Sequence, residues 1–342
     1  MIDLSSDTAT KPSDEMRAAI ARAPVGDDQR GEDPTVNALQ DLGCELLGHE
    51  AALFLPSATQ ANQIAIRVQT RPGDEVICAE NCHIQKYESG GPAVLSGVLL
   101  RPLSAPHGIF TGHDVTSVIN PNIPHAPPSR MLCIENTHNY AGGVVWSAEQ
   151  VLDAISVAHV HGLVTHLDGS RLVNAAVARG CCLSEIAAPF DTVTLCLSKG
   201  LGAPAGALLL GSAAVIAEAR RWKHVFGGAM RQAGILAAGG LYALRNHLGD
   251  IEADHANAQA LAAGLATIPG VRLDPWPQSN IVFFNISDTG LCGAELMARF
   301  EAEGVRASGM GNTRIRFVTH RDISAEQILQ AIEMCRRAFK AS

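Results

Sequence analysis

The sequence predicts an α/β protein: a large domain on a mainly parallel sheet, followed by a smaller α+β domain. Three observations carry this. Strand-like apolar runs alternate with helical ones over most of the chain, the strand–helix–strand order of a parallel sheet. Two of those runs, Val164 to Asp168 and Thr192 to Leu197, each lead to a charged residue beside glycine, Asp168 and Lys199, and open α/β sheets bind ligands outside the carboxyl ends of their strands. From Pro269 onward the pattern changes to short strands and two amphipathic helices. The expected division is 1–245 for the large domain, with a polar arm at 1–12, and 246–342 for the small one.

In chain order, Ser13 to Ala23 has helical composition, and Gly26 to Pro34 is a loop dense with charge. Asp33 before Pro34 suits a helix start, because Asp caps and Pro fits the first helical position. Val36, Leu39, Leu42 and Leu46 then repeat at helical spacing until Gly48. Apolar Ala51 to Leu55 leads into Ser57-Ala58-Thr59 and another helical run. Strands are expected at Glu75 to Ala79, Val94 to Leu100 and Met131 to Glu135, with a long loop-rich insert from Pro102 to Pro128. Ser147 and Gln150 form a capping box for a helix reaching His161. After the strand ending at Asp168 come Thr192 to Leu197, a glycine-rich turn and Ala207 to Leu210. Ile235 to Ile268 reads as helical, interrupted near His247-Leu-Gly249. The last part holds strands at Val271 to Leu273, Ile281 to Ile286, Val305 to Ala307 and Ile315 to Val318, and helices at Leu291 to Glu303 and Ala325 to Phe339.

Composition limits the function. The chain has 342 residues, a hydrophobic fraction of 47% and a net charge of −8 without a basic stripe, which argues against nucleic acid. The amino terminus carries acids and no apolar core, so no secretory signal is expected. Gly200 to Ala217 is free of charge and nominally reaches membrane length, but glycines, Pro204 and Ser212 break it. Nine cysteines form no C-x-x-C pair, and Cys78 and Cys82 beside His83 lack a further ligand set for zinc. Reduced thiols in a cytoplasmic protein are expected.

Lys199 and Asp168 carry the chemistry. Taken alone, a strand-end lysine also suits a solvated charge. The pair suits pyridoxal phosphate, with Lys199 holding it as a Schiff base and Asp168 keeping its pyridine nitrogen protonated. Ser57-Ala58-Thr59 at a helix amino terminus offers free N–H groups and hydroxyls to a phosphate, or an ordinary cap. His83, just past a strand, suits either the surface or the face of the cofactor ring. Gly200-Leu-Gly202 is no dinucleotide fingerprint, because the third glycine, Gly206, falls one place late.

Eight motifs in order then resemble the L-threonine aldolases of low specificity, in the pyridoxal-phosphate β-eliminating lyase group. They are Ser6-Asp7-Thr8; Gly26-Asp-Asp with Gly31-Glu-Asp-Pro-Thr35; His83 with Tyr87-Glu88; Glu135-Asn-Thr-His-Asn139; His166-Leu-Asp-Gly with Arg171; Leu197-Ser-Lys-Gly200; Gly227 to Gly234; and Arg314 to His320. The resemblance implies an aspartate-aminotransferase type of fold with a seven-stranded sheet. It implies reversible cleavage of β-hydroxy-α-amino acids, such as threonine, allo-threonine and phenylserine, to glycine and an aldehyde. It implies no metal in the chemistry and a homo-oligomer, a dimer of dimers. By resemblance, Lys199, Asp168, His83 and His125 are catalytic. Ser57, Ala58, Thr59, His83, Asp168, Arg171, Lys199 and Arg231 hold the cofactor, Arg231 being lent by a neighbouring subunit. Ser6, Arg30, Tyr87, Arg171 and Arg316 meet the substrate. The chain departs from the family pattern at Ser5, Arg30, Ala58 and Lys86. Other readings are a dehydratase or racemase using the same cofactor, and a non-catalytic binding protein.

Overall fold

Seven segments rich in Val, Leu, Ile and Ala join edge to edge in the computed structural model, which describes residues 1–340. They are β1 (Ala51–Leu55), β2 (Glu75–Ala79), β3 (Leu99–Leu103), β4 (Ser129–Glu135), β5 (Val164–Gly169), β6 (Thr192–Cys196) and β7 (Ala207–Gly211). Their spatial order is β1-β7-β6-β5-β4-β2-β3. Only β7 runs against its neighbours; the other pairings are parallel. Successive side chains point to opposite faces, and both faces are buried. Leu53 and Leu55 pack with Ile64 and Ile216 on one side, whereas Phe54 packs with Leu39 and Leu210 on the other. Helices on both faces are what a parallel sheet requires.

Short polar signals start the helices. Asp33 accepts the N–H groups of Thr35 and Val36 and is followed by Pro34 at the head of Pro34–Leu47. Ser57 accepts the N–H of Gln60 at the head of Ala58–Gln69. Ser147 and Gln150 cap each other's backbone at the head of Ala148–Val160. Ser324 and Gln327 do the same before Ala325–Lys340. Each cap contributes about 1 kcal/mol.

A second apolar cluster lies beyond the helix Gly234–Asn246. Four antiparallel strands in the order Ser308–Gly309, Arg314–Val318, Ile281–Asn285, Arg272–Leu273 pack on the helices Ile251–Leu265, Gly293–Glu303 and Ala325–Lys340. Phe284 and Phe300 stack against Phe317 at 5.4 and 5.5 Å, all fully buried, each contributing about 2–3 kcal/mol. The chain's first residues join this cluster: Ile2–Asp3 pairs with Val305–Arg306, and Ile2 and Leu4 lie in the core.

Two sequence expectations are corrected. Val94 to Leu100 is not one strand: Pro92–Ser96 is a helical turn that Gly97 closes at a φ of 68°, and the strand β3 starts at Leu99. A short apolar run does not distinguish the two. Pro102 then sits inside β3, which its lack of an N–H permits only because β3 is the sheet edge. The insert after Pro102 also contains a helix, Gly112–Val118, started by a Thr111/Asp114 capping box. Two further helices, Leu172–Arg179 and Leu183–Ala187, fill the connection between β5 and β6.

Candidate active site

The sheet brings three strand ends together. Glu135, last in β4, lies in register with Asp168 of β5, and Asp168 with Thr194 of β6. Lys199 sits in the turn after β6, held where its carbonyl accepts the Thr10 hydroxyl at 2.8 Å. Outside these ends is a cavity of about 330 Å³. Lys199, His83, Arg171, Arg316, Ser6 and Tyr87 all line it, as do Glu135 and Asn139.

Asp168 is buried behind the cavity. It accepts the Asn62 amide at 2.9 Å and the Ser170 N–H at 3.0 Å. Burial pushes its carboxyl up, but His83, Lys199 and Ser170 outweigh burial and hold it below the usual carboxylate range. It is thus an anion able to keep a heteroaromatic nitrogen protonated.

His83 opens the helical turn His83–Lys86. Its N–H donates to Glu135 Oε2 at 2.7 Å and its Nδ1 meets Glu88 Oε1 at 2.8 Å. One ligand-capable atom each of His83, Glu88 and Asp168 lies within 4.8 Å of the others. Burial lowers the His83 imidazole's proton affinity, but Glu88, Asp168 and Glu135 raise it above the ordinary histidine value. Glu88 is held in turn by the amides of Asn62 and Gln63. Asn62 Nδ2 donates to Glu88 and Asp168 alike, and its Oδ1 meets His166 Nε2 at 3.1 Å. Burial lowers His166 to about 4, so it is a neutral support at neutral pH.

Two arginines also line the cavity. Arg171 spans Asp7 with Nε and Nη2, both at 2.7 Å, leaving Nη1 for Asn139 Oδ1 at 3.3 Å. Arg316 donates Nη1 to the same Oδ1 at 3.0 Å and Nη2 to the Ser5 carbonyl at 3.1 Å, while its buried Nε has no partner. Burial, and then Arg171, lower Arg316 to about 10, so it stays charged at neutral pH and suits an anionic ligand. Ser6 caps a short turn, accepting from Thr8, and the half-exposed Tyr87 ring lies 5.8 Å from that of His83.

Other expected residues stand apart in the single chain. Ser57, Ala58 and Thr59 form the amino end of the helix after β1, and its Gln60 side chain bonds the Phe226 carbonyl at 3.1 Å. Arg30 and Arg231 are exposed and share Asp27, at 3.9 and 3.1 Å; neither lines the cavity. His125 is exposed just before β4 begins. The cavity lies where β4 ends, about 20 Å along the strand at some 3.3 Å per residue, and His125 is not among the residues that line it.

Roles for Glu135, Asn139, Glu88, Asn62 and Asp7 were not assigned from the sequence, although four of them lie in the quoted motifs. One signal was available for Glu135: like Asp168, it ends an apolar strand on a charge.

The family pattern described as Beta-eliminating lyase matches residues 3–288. The low specificity L-threonine aldolase of Escherichia coli K12 is 42% identical over 333 residues, covering 96% of this chain and 97% of that protein. Low-specificity L-threonine aldolase 1 of Arabidopsis thaliana is 36% identical over 344 residues, covering 99% and 96%. Among solved structures, the threonine aldolase of Leishmania major superposes with a TM-score of 0.84 at 23% identity, covering 99% of this chain and all of that one.

Proposed function

The chain belongs to the beta-eliminating lyase family, with the threonine aldolases, and from that premise we propose that it cleaves L-threonine, L-allo-threonine and related β-hydroxy-α-amino acids to glycine and an aldehyde with pyridoxal phosphate. It is a carbon–carbon lyase of the threonine aldolase type with the aspartate-aminotransferase type of fold. The observation that carries the reading is one cavity lined by Lys199, His83 and a charged, incompletely partnered Arg316, with the anionic Asp168 buried beside His83. A dehydratase or racemase has no observation in its favour.

The residues fit the cofactor. Ser170 Oγ and Thr194 Oγ1 are buried without partners beside the lysine and the aspartate, and the helix Ala58–Gln69 begins with free N–H groups. Lys199 would hold the cofactor covalently and Asp168 its ring nitrogen. His83 would lie on the ring face, and Ser57 to Thr59 would bind the phosphate, with Arg231 from a second copy. When bound, pyridoxal phosphate supplies the electron sink for carbon–carbon cleavage.

The chain's own residues do the rest. Arg316 takes the substrate carboxylate, with Ser6 beside it. Arg171, its fork held by Asp7, orients Asn139 and adds charge. The β-hydroxyl must lose a proton. With Nδ1–H donated to Glu88, His83 keeps the Nε2 lone pair for that proton, directly or through one water. His125 belongs to a second copy's loop in this reading, and Lys199 is the competing base.

Three residues outside their own cavity, Arg30, His125 and Arg231, support a homo-oligomer, taken as a dimer of dimers. Arg30, where relatives are expected to have tyrosine, then shapes a neighbour's outer pocket. The domain division is taken at 245/246. No helix among the described residues is long and apolar enough to cross a membrane, and a cytoplasmic place is our reading of the unpaired cysteines. Product analysis tests the reaction: L-threonine should yield glycine and acetaldehyde in equal amounts. A keto acid, or D-allo-threonine from inversion at Cα, would replace this reading with a dehydratase or a racemase.

A further inference from the structure

We propose that Glu135 is a positioning residue for the cleavage: its carboxylate ties the segment carrying His83 to the loop carrying Asn139, and so sets the histidine's spacing from the arginines that receive the substrate. The inference rests on the aldolase reading of this cavity.

Glu135 is 5% exposed and lines the cavity beside Asp168. A carboxylate this deeply buried is costly unless it is well partnered. Among the described residues its hydrogen-bond partners are two main-chain amides from separate segments. Oε2 accepts the N–H of His83 at 2.7 Å, and Oε1 accepts the N–H of Asn139 at 2.8 Å. Bonds to an ionised acceptor are about twice as strong as neutral ones, so one side chain pins two loops.

Each loop carries one half of the chemistry. His83 stands beside Asp168 and Glu88. Asn139 Oδ1 accepts from Arg316 and Arg171 together, at 3.0 and 3.3 Å, and thereby holds the Arg316 guanidinium against Arg171, which Asp7 fixes. A shift of about 1 Å in either half is enough to cost about 100-fold in rate.

The chemistry of the position defines the variants. Glutamine offers one carbonyl oxygen and an NH₂, so one of the two N–H groups would face a donor. Aspartate keeps the charge and both oxygens but is a methylene shorter, and cannot span both loops.

The test is a double-mutant cycle on the cofactor-loaded enzyme: wild type, Glu135→Gln, Asn139→Ala and the double variant, with Glu135→Asp alongside. It reads kcat and KM for L-threonine, the glycine dissociation constant by calorimetry, and Tm. Glu135→Gln is expected to lower kcat about 30-fold through His83 and to weaken glycine about 10-fold through the arginines. Asn139→Ala is expected to weaken glycine about 10-fold through the arginines. The glycine effects should not multiply in the double variant, because both act through one loop. Glu135→Asp should follow glutamine in direction despite its charge. The proposal is overturned if both Glu135 variants keep kcat and glycine affinity within about twofold of wild type, if the glycine effects multiply fully, or if both variants lose the fold, which would leave Glu135 a stability role alone. Wild-type protein that makes no glycine from threonine would remove the aldolase reading instead, and glycine calorimetry would still decide the role of Glu135.

Discussion

Asp7 grips Arg171 at two points, Oδ2 to Nε and Oδ1 to Nη2, each at 2.7 Å, with both side chains buried. Burial alone would push the Asp7 carboxyl up, but Arg171 holds it well below the usual carboxylate range; the same contact outweighs burial and raises Arg171. The pair joins the amino-terminal arm to the helix after β5. It also occupies two of the three guanidinium nitrogens of Arg171, which lines the cavity together with Arg316.

Removing Asp7 leaves a guanidinium buried without its partner, and that costs about 3–5 kcal/mol. Asp7→Ala should therefore lower Tm strongly and raise KM, measurable by calorimetry and initial rates. A folded-state pKa below the unfolded value means that the stabilisation is full above the unfolded carboxylate's pKa, about 3.9, and is lost as pH falls through the lower folded value. Wild type should lose this contribution in acid, and Asp7→Ala should show a flatter acid limb.

Asp254 behaves in the opposite sense. It is buried on Ile251–Leu265, with Oδ2 unpartnered. Burial, then Asp7 and Asp250, raise its carboxyl to about 8, with Asp322 adding to this and Arg321 opposing it. The folded state keeps a proton that the unfolded chain releases, so stability falls between the unfolded pKa near 4 and pH 8, at most by about 1.4 kcal/mol per pH unit. Asp254→Asn should flatten this slope and raise Tm at pH 8 more than at pH 5. An unchanged slope would show that Asp254 ionises normally.

Glu88, on His83 Nδ1, should govern the acid limb of the rate profile. It is foremost among the groups that raise His83 against burial, so the neutral imidazole needed as a base appears only above the ordinary histidine value. Glu88→Gln should move the acid limb of kcat/KM down. His83→Asn should lose cleavage while retaining exchange of the glycine α-proton. His125→Asn should impair cleavage less, and only through a second copy's cavity. Wild-type cleavage by both histidine variants across the pH range would make Lys199 the base.

The sheet was legible because Val164 to Asp168 and Thr192 to Leu197 are apolar runs that each lead to a charge, and both strands form with Asp168 and Lys199 at one end of the sheet. Pro92–Ser96 was misread because Val94 and Leu95 are apolar yet exposed, so hydrophobicity there does not report a strand. The cavity's charged rim was legible from motifs. Its supporting bonds were not: Asn62 joins Glu88 and Asp168 across long separations in sequence, and Asn139 joins two arginines from different parts of the chain. No local pattern encodes such pairings. His125 shows the converse: the family resemblance names the residue, and it lies before the strand whose other end meets the cavity.

The central claim is that Lys199 carries pyridoxal phosphate at this cavity, and peptide mapping tests it most directly. The cofactor-loaded protein is reduced with borohydride, digested, and analysed by mass spectrometry. The account predicts a reduced pyridoxyl adduct on Lys199 in wild type, with adduct and threonine cleavage both absent in Lys199→Ala. An adduct on another lysine, or cleavage that survives Lys199→Ala, would contradict it.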